Sequence, residues 1–256
     1  MVLAPPIDPT KENIFDLPEH TVSNGVAEYA ARAGGALLES KTEELFSYPT
    51  ATYKVADYLG NPNPRPPERY LFDPSLQGTG VLAYYVNPKE VAAFLKFVYP
   101  GHDTEIENAI QRELGPNVIV AYNPDVLKLP VHVLKSVKDH EDGHGGQHGK
   151  LLAKALGVLT HYGPLPIGEM LVEGGNENAL QVMGMEPPSR YFDDNSMYSF
   201  YRRFVEELEY LKPGTTRDFL HATAEYDIRG ATKVLDGVPG IDRLIGKYAL
   251  AFANRN

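Results

Sequence analysis

Three histidines at four-residue steps, with acids before and between them, mark the stretch Lys138-Asp139-His140-Glu141-Asp142-Gly143-His144-Gly145-Gly146-Gln147-His148-Gly149-Lys150. The chain has eight histidines, and five of them fall between positions 132 and 161. Imidazole and carboxylate are common ligands of zinc and iron, so metal binding is the chemistry these residue types point to. His140-Glu141-x-x-His144 has the letters of the zinc-protease motif. In that motif two histidines share one helix face and bind the ion, while the glutamate activates water. Gly143, Gly145, Gly146 and Gly149 weigh against a regular helix here, each costing about 1 kcal/mol relative to alanine. A second arrangement uses Glu141 and His148. They share a face of an ideal helix but stand roughly 10 Å apart along its axis. One ion takes both only where the helix is kinked or unwound, and the glycines sit where such a break would fall.

The elements that would position this stretch are mostly helices. Residues 1–20 hold Pro5, Pro6, Pro9 and Pro18 and read as an irregular extension. Thr21 or Ser23 opens a helix through about Glu44, and a short one covers Ala51 to Leu59, ended by Gly60. Gly80 to Val86 fits a buried strand or a helix, and Asn117 to Tyr122 is the best strand candidate. Asn87-Pro88-Lys89-Glu90 carries a cap, a proline at the first helical position and an acid at the third. The next helix begins at Asp103 or Thr104 and ends at Gly115, and another begins near Val131. Its apolar stripe continues into Glu141 and His144, resumes at Leu151, and stops at Gly157. Residues 162–190 read as loop, with Gly174-Gly175 and Pro187-Pro188. Ser196 to Leu211 is a strong helix. Thr215 or Thr216 caps another through about Leu235, and Ile241 to Phe252 is the last. His132 fits ordinary packing, His161 a helix end, and Asp193-Asp194 a helix N-cap.

The run from Val137 to His148, followed by Leu151-Leu152-Ala153-Lys154-Ala155-Leu156-Gly157, resembles a signature of haem-oxygenase-like-fold metallo-oxidases. That family shows a glutamate, a glycine-containing insert, a histidine seven residues on and a leucine-rich turn ending in Leu-Gly. The resemblance implies an all-α, single-domain helical bundle that uses non-haem Fe(II), one or two ions, to activate O2. By that resemblance Glu141 and His148 are ligands, joined by His221 and Glu225 from the run Phe219 to Ile228. Ile228 stands where the family has its last histidine. A further carboxylate would come from Glu177, Glu186, Glu206 or Glu207. His144 and His140 would be additional ligands or acid–base groups. Similar text occurs in the cofactorless oxidase of pyrroloquinoline quinone synthesis, which shares the fold.

Composition removes several classes. The net charge of −10 argues against binding to a phosphate backbone. No run approaches the roughly 18 apolar residues of a membrane span, and Met1 to Thr10 does not read as a signal peptide. With no cysteine there is no disulfide, thiolate zinc site, iron–sulfur cluster or cysteine nucleophile. The sequence has no G-x-S-x-G elbow, phosphate-binding loop or G-x-G-x-x-G fingerprint. The 16 tyrosines and 10 phenylalanines fill a core or line a pocket. The expectation is a cytoplasmic protein with one helical domain over 21–256. Its activity would be an Fe(II)-dependent oxidase or oxygenase reaction on a small organic metabolite with O2, without nucleic acid or membrane. A homo-oligomer stays open. So do a cofactorless oxidase of the same fold, a zinc-dependent hydrolase using His140-Glu141-x-x-His144, and a non-catalytic helical binding protein.

Overall fold

The computed structural model describes residues 50–147, 149–159, 165–192 and 196–254, the side chains at 156–159 excepted. The extension over 1–20, the helix expected over 21–44, His148, His161 and Asp193-Asp194 lie outside the described residues. The chain is mostly helical, with ten helices and one three-stranded sheet among the described residues.

α1 (Ala51–Leu59) buries Val55, Ala56 and Leu59 and ends at Gly60, whose φ of 67° is left-handed. Both ambiguous apolar runs are strands: β2 (Ala83–Val86) and β3 (Ile119–Tyr122). They pair antiparallel, Ala83 opposite Tyr122. β1 (Arg69–Phe72), which no sequence pattern announced, pairs parallel with β3, so β2 is an edge of the sheet. α2 (Pro88–Val98) begins as its motif predicts, with the Asn87 side chain accepting from Lys89 N and Glu90 N. α3 (Asp103–Glu113) follows.

α4 (Val131–His144) carries the histidine motif, and α5 (Lys150–Leu159) runs on past Gly157. α4 runs through Gly143 and ends at His144 with Gly145 at its C-cap, so the helical path breaks among the glycines, as expected, before α5 starts at Lys150. A Cβ at Gly143 would lie 2.2 Å from Asn176 Oδ1, one at Gly145 2.3 Å from Arg65 O, and one at Gly146 2.5 Å from Thr52 O. These glycines let other segments close on the histidine stretch, and their loss of helix propensity is offset by that packing.

The region read as loop contains α6 (Ile167–Val182), the largest departure from expectation. Its Gly174-Gly175 pair sits mid-helix because a Cβ there would meet Tyr201 O at 2.3 Å and Thr216 Cγ2 at 2.7 Å. α7 (Met197–Leu211) is capped by Ser196, which accepts from Ser199 N. The helix expected from Thr215 to Leu235 is two: α8 (Thr215–Ala224) and α9 (Ile228–Asp236). Tyr226, at φ 57°, breaks them apart, and Asp227 caps the second. α8 is also not capped by a threonine; the Glu209 carboxylate accepts from Gly214 N and Thr216 N instead. α10 (Ile241–Ala253) closes the described chain.

Two apolar cores result. One gathers side chains of the sheet with Leu134 and Val137 of α4. The other gathers α1 and the helices from α5 onward, with Met170, Leu171, Phe204, Leu208 and Phe219 at its centre. α4 lies between them, packed on α1, α6 and β2. No helix among the described residues is long and apolar enough to cross a membrane.

Candidate metal centre

α4 turns His140 and His144 to one side, a helical turn apart, and α6 faces them with Glu173 and Glu177. Glu173 Oε2 lies 3.1 Å from His140 Nε2 and 3.2 Å from His144 Nε2. Among the described residues these three buried side chains form a group whose donor atoms lie within 4.8 Å of one another and could hold a metal ion. Around tetrahedral zinc, ligand atoms at 2.0–2.1 Å are separated by about 3.3 Å. The two separations from Glu173 to the histidines match that edge.

The surroundings fix each ring. His140 Nδ1 meets Glu177 Oε1 at 2.7 Å, and Glu177 Oε2 accepts from Ser189 N at 3.1 Å. His144 Nδ1 meets Gln147 Oε1 at 2.7 Å, and the Gln147 amide donates to Val172 O at 2.7 Å, which turns its oxygen toward the imidazole. Each Nδ1 therefore has an acceptor, leaving each Nε2 to face Glu173, the arrangement that orients histidine ligands in metal sites. Asn176 Nδ2 donates to His140 O at 2.6 Å and ties α4 to α6 directly. Lys154 Nζ holds Glu173 Oε1 at 2.5 Å, so the other oxygen points at the histidines.

The electrostatics are those of a cation site. Burial disfavours a charged His140, but its hydrogen bonds to Glu173 and Glu177 outweigh this and push the imidazole up to about 10. Burial would raise Glu173, yet the charge of His144 and the hydrogen bonds from both histidines hold it well below the usual carboxylate range.

A cavity of about 180 Å³ opens beside the donors, lined by Glu141, His144, Glu173, Lys150, Lys154 and Tyr198, with Ala83, Tyr84 and Tyr85 of β2 along one wall. The Tyr198 ring stands edge-on to His140 at 5.0 Å. Burial and the charges of Glu141 and Glu173 push its phenol far up, so it remains a proton donor. On the opposite side of α4, Lys138 and Asp142 form a buried ion pair, and Tyr70 donates to Asp142 Oδ1 at 3.0 Å. That side of the helix is structural.

The candidates read from the sequence separate accordingly. His140 and His144 come together in a group that could hold an ion, the first of the two roles expected of them. Glu141 is buried and faces the cavity. His221 and Glu225, at the end of α8, are both exposed, and His221 Nε2 is engaged with Leu59 O at 3.1 Å. Neither joins a group of three metal donors among the described residues. Of the four carboxylates considered, Glu177 holds His140, whereas Glu186 pairs with Arg190, Glu206 with Arg202 and Glu207 with Lys247. His132 packs at a tilt against Tyr191, with ring centroids 5.0 Å apart, as ordinary packing. Glu173 was missed. Its signal was the four-residue spacing of Glu169, Glu173 and Glu177, hidden in a segment that the glycine pair made look like loop. Among family models, curated proteins and solved structures, none matches this chain.

Proposed function

We propose that the protein is a metal-dependent hydrolase of amide bonds, with zinc held by His140, His144 and Glu173 and with Glu141 as the general base. The observation that carries this reading is the meeting of Glu173, from α6, with both histidines of a His-Glu-x-x-His helix. Two histidines and one glutamate are a ligand set of catalytic zinc, with the fourth position left for water or substrate. A divalent ion there supplies Lewis acidity, polarising a carbonyl and acidifying water. Glu141 follows His140 on the helix and faces the cavity, where it takes the proton of the attacking water and passes it to the leaving nitrogen as the C–N bond breaks. Tyr198 offers a hydroxyl to the carbonyl oxygen as charge builds on it. Glu177 and Gln147 hold the ligand rings, and the walls keep bulk water from the proton transfer.

The same three donors also make a two-histidine, one-carboxylate set of the kind used by non-haem Fe(II) enzymes. That set supports an O2-activating oxidase of a small metabolite as the second reading. It would use His140, His144 and Glu173 in place of the Glu141, His148, His221 and Glu225 group. Glu141 separates the two readings, because a base beside the ion is required for hydrolysis and not for O2 binding.

The experiment is metal content by mass spectrometry after loading with Zn(II) or, without oxygen, with Fe(II). It is followed by assays of N-acyl peptide cleavage and of O2 uptake, on wild type, His144→Ala, Glu173→Gln and Glu141→Gln. One ion per chain is expected, lost in the first two variants. Glu141→Gln should keep the ion and lose cleavage by roughly 10² to 10⁴-fold. Metal retained in both ligand variants would end the site assignment. Cleavage undiminished in Glu141→Gln would end the hydrolase reading, and O2 uptake by the iron form alone would favour the second.

A further inference from the structure

Two lysines line the cavity, and they are not equivalent. Lys154 is committed to Glu173 at 2.5 Å. Lys150 has no carboxylate within ion-pair distance among the described residues, although it is only 5% exposed. Its Nζ sits over the Tyr85 ring, 3.6 Å from the centroid. Tyr85 is pinned there by its hydroxyl, which donates to Arg65 O at 2.6 Å. Glu90, whose charge acts on Lys150 most strongly, has Oε1 engaged with Leu151 N at 3.3 Å.

A buried ammonium without an anion is costly, and an aromatic face compensates only in part. We propose that Lys150 is the specificity-determining residue of this cavity, where it receives a carboxylate of the ligand lying along Tyr85. This rests on the hydrolase reading insofar as the ligand is the substrate. The charge balance agrees. Among the side chains that line the cavity, Glu141 and Glu173 balance Lys150 and Lys154, so a bound dication would make the lining itself positive, with Glu177 behind His140 and Glu90 near Lys150 offsetting that charge from outside the lining. The volume of about 180 Å³ suits one amino-acid-sized fragment rather than an extended chain. The substrate class is then an N-acyl amino acid or very short peptide, cut at the amide beside a carboxylate. That carboxylate is either the chain terminus or an acidic side chain, and both present the same group to Lys150.

The test is calorimetric binding to the zinc-loaded full chain of three small ligands: N-acetylalanine, its primary amide, and N-acetylaspartic acid amidated at the α-carboxyl. Wild type, Lys150→Met and Lys150→Arg are compared. The readout is the ratio of acid to amide affinity, since damage to the fold would weaken both. Wild type should prefer at least one acid by roughly tenfold or more. The preference should vanish in Lys150→Met and return in part in Lys150→Arg. The acid preferred identifies terminus or side chain as the source. Equal binding of acids and amide to wild type, or a preference that survives Lys150→Met, overturns the proposal. Acid binding that needs Lys150, in a protein that cleaves no matching dipeptide, upholds the carboxylate site while ending the hydrolase reading.

Discussion

At the scale of single residues, Glu177 shows how much of the centre lies behind its donors. It is buried, it holds His140 Nδ1 at 2.7 Å, and Ser189 N anchors its second oxygen. It sits one helical turn beyond Glu173, so one face of α6 supplies both a donor of the group that could hold an ion and the carboxylate that aims His140. Loss of a carboxylate behind a histidine ligand typically costs 10 to 100-fold in metal affinity. Glu177→Gln keeps the shape and removes the charge. Its zinc affinity, read by competition with a chromophoric chelator, should fall by about that factor while the helical signal in circular dichroism stays unchanged. Affinity equal to wild type would mean that His140 is oriented by the backbone alone.

At the scale of elements, glycines decide how close α6 comes to its neighbours. Gly174 follows Glu173, and a Cβ there would stand 2.3 Å from Tyr201 O of α7. A backbone atom cannot swing aside as a side-chain tip can, so Gly174→Ala must push α6 from α7 and move Glu173 with it. Overpacking of this kind costs roughly 1–3 kcal/mol. Gly184, just past the end of α6, has φ 73° and nothing within 4 Å of its Cβ position, so Gly184→Ala costs only backbone strain of about 1–2 kcal/mol. Both variants should lose stability in urea denaturation, but only Gly174→Ala should also lose zinc affinity. Parallel losses of affinity in both would detach the site from the α6–α7 contact. The same glycines explain what the sequence hid. α2 and α7 were legible because cap residues mark their starts, and α4 and α7 because their apolar periodicity agrees with their burial. In α6, a glycine pair, three glutamates and two asparagines serve packing and the site, so the local signals for a helix are weak. Half of the centre could be read from His140, Glu141 and His144, which are close in sequence. The other half depends on a contact between α4 and α6, which no local pattern encodes.

At the scale of the whole molecule, the centre bridges the two apolar cores. Leu134 and Val137 anchor α4 in the core under the sheet, while Met170, Leu171 and Val172 anchor α6 in the helical core. An ion held by His140 and His144 from one element and Glu173 from the other therefore cross-links both cores, and unfolding either one releases it. Without an ion, Glu173 and Glu177 keep the histidines by hydrogen bonds, and the fold stands on its packing. Binding of an ion to the folded state alone stabilises it by about 4 kcal/mol when its free concentration is a thousand times the dissociation constant. For a chain of this size each kcal/mol moves the melting temperature by about 2–4 °C. Zinc in that excess should then raise Tm by roughly 8–16 °C over the chelator-treated protein. The transition should stay single if the cores melt together. In Glu173→Gln the two histidines remain on α4 but the link to α6 is cut, so the zinc-dependent rise should shrink to a small fraction of the wild-type value. A full rise in that variant would place the ion on α4 alone, and the centre would then not be the element that couples the sheet to the helices.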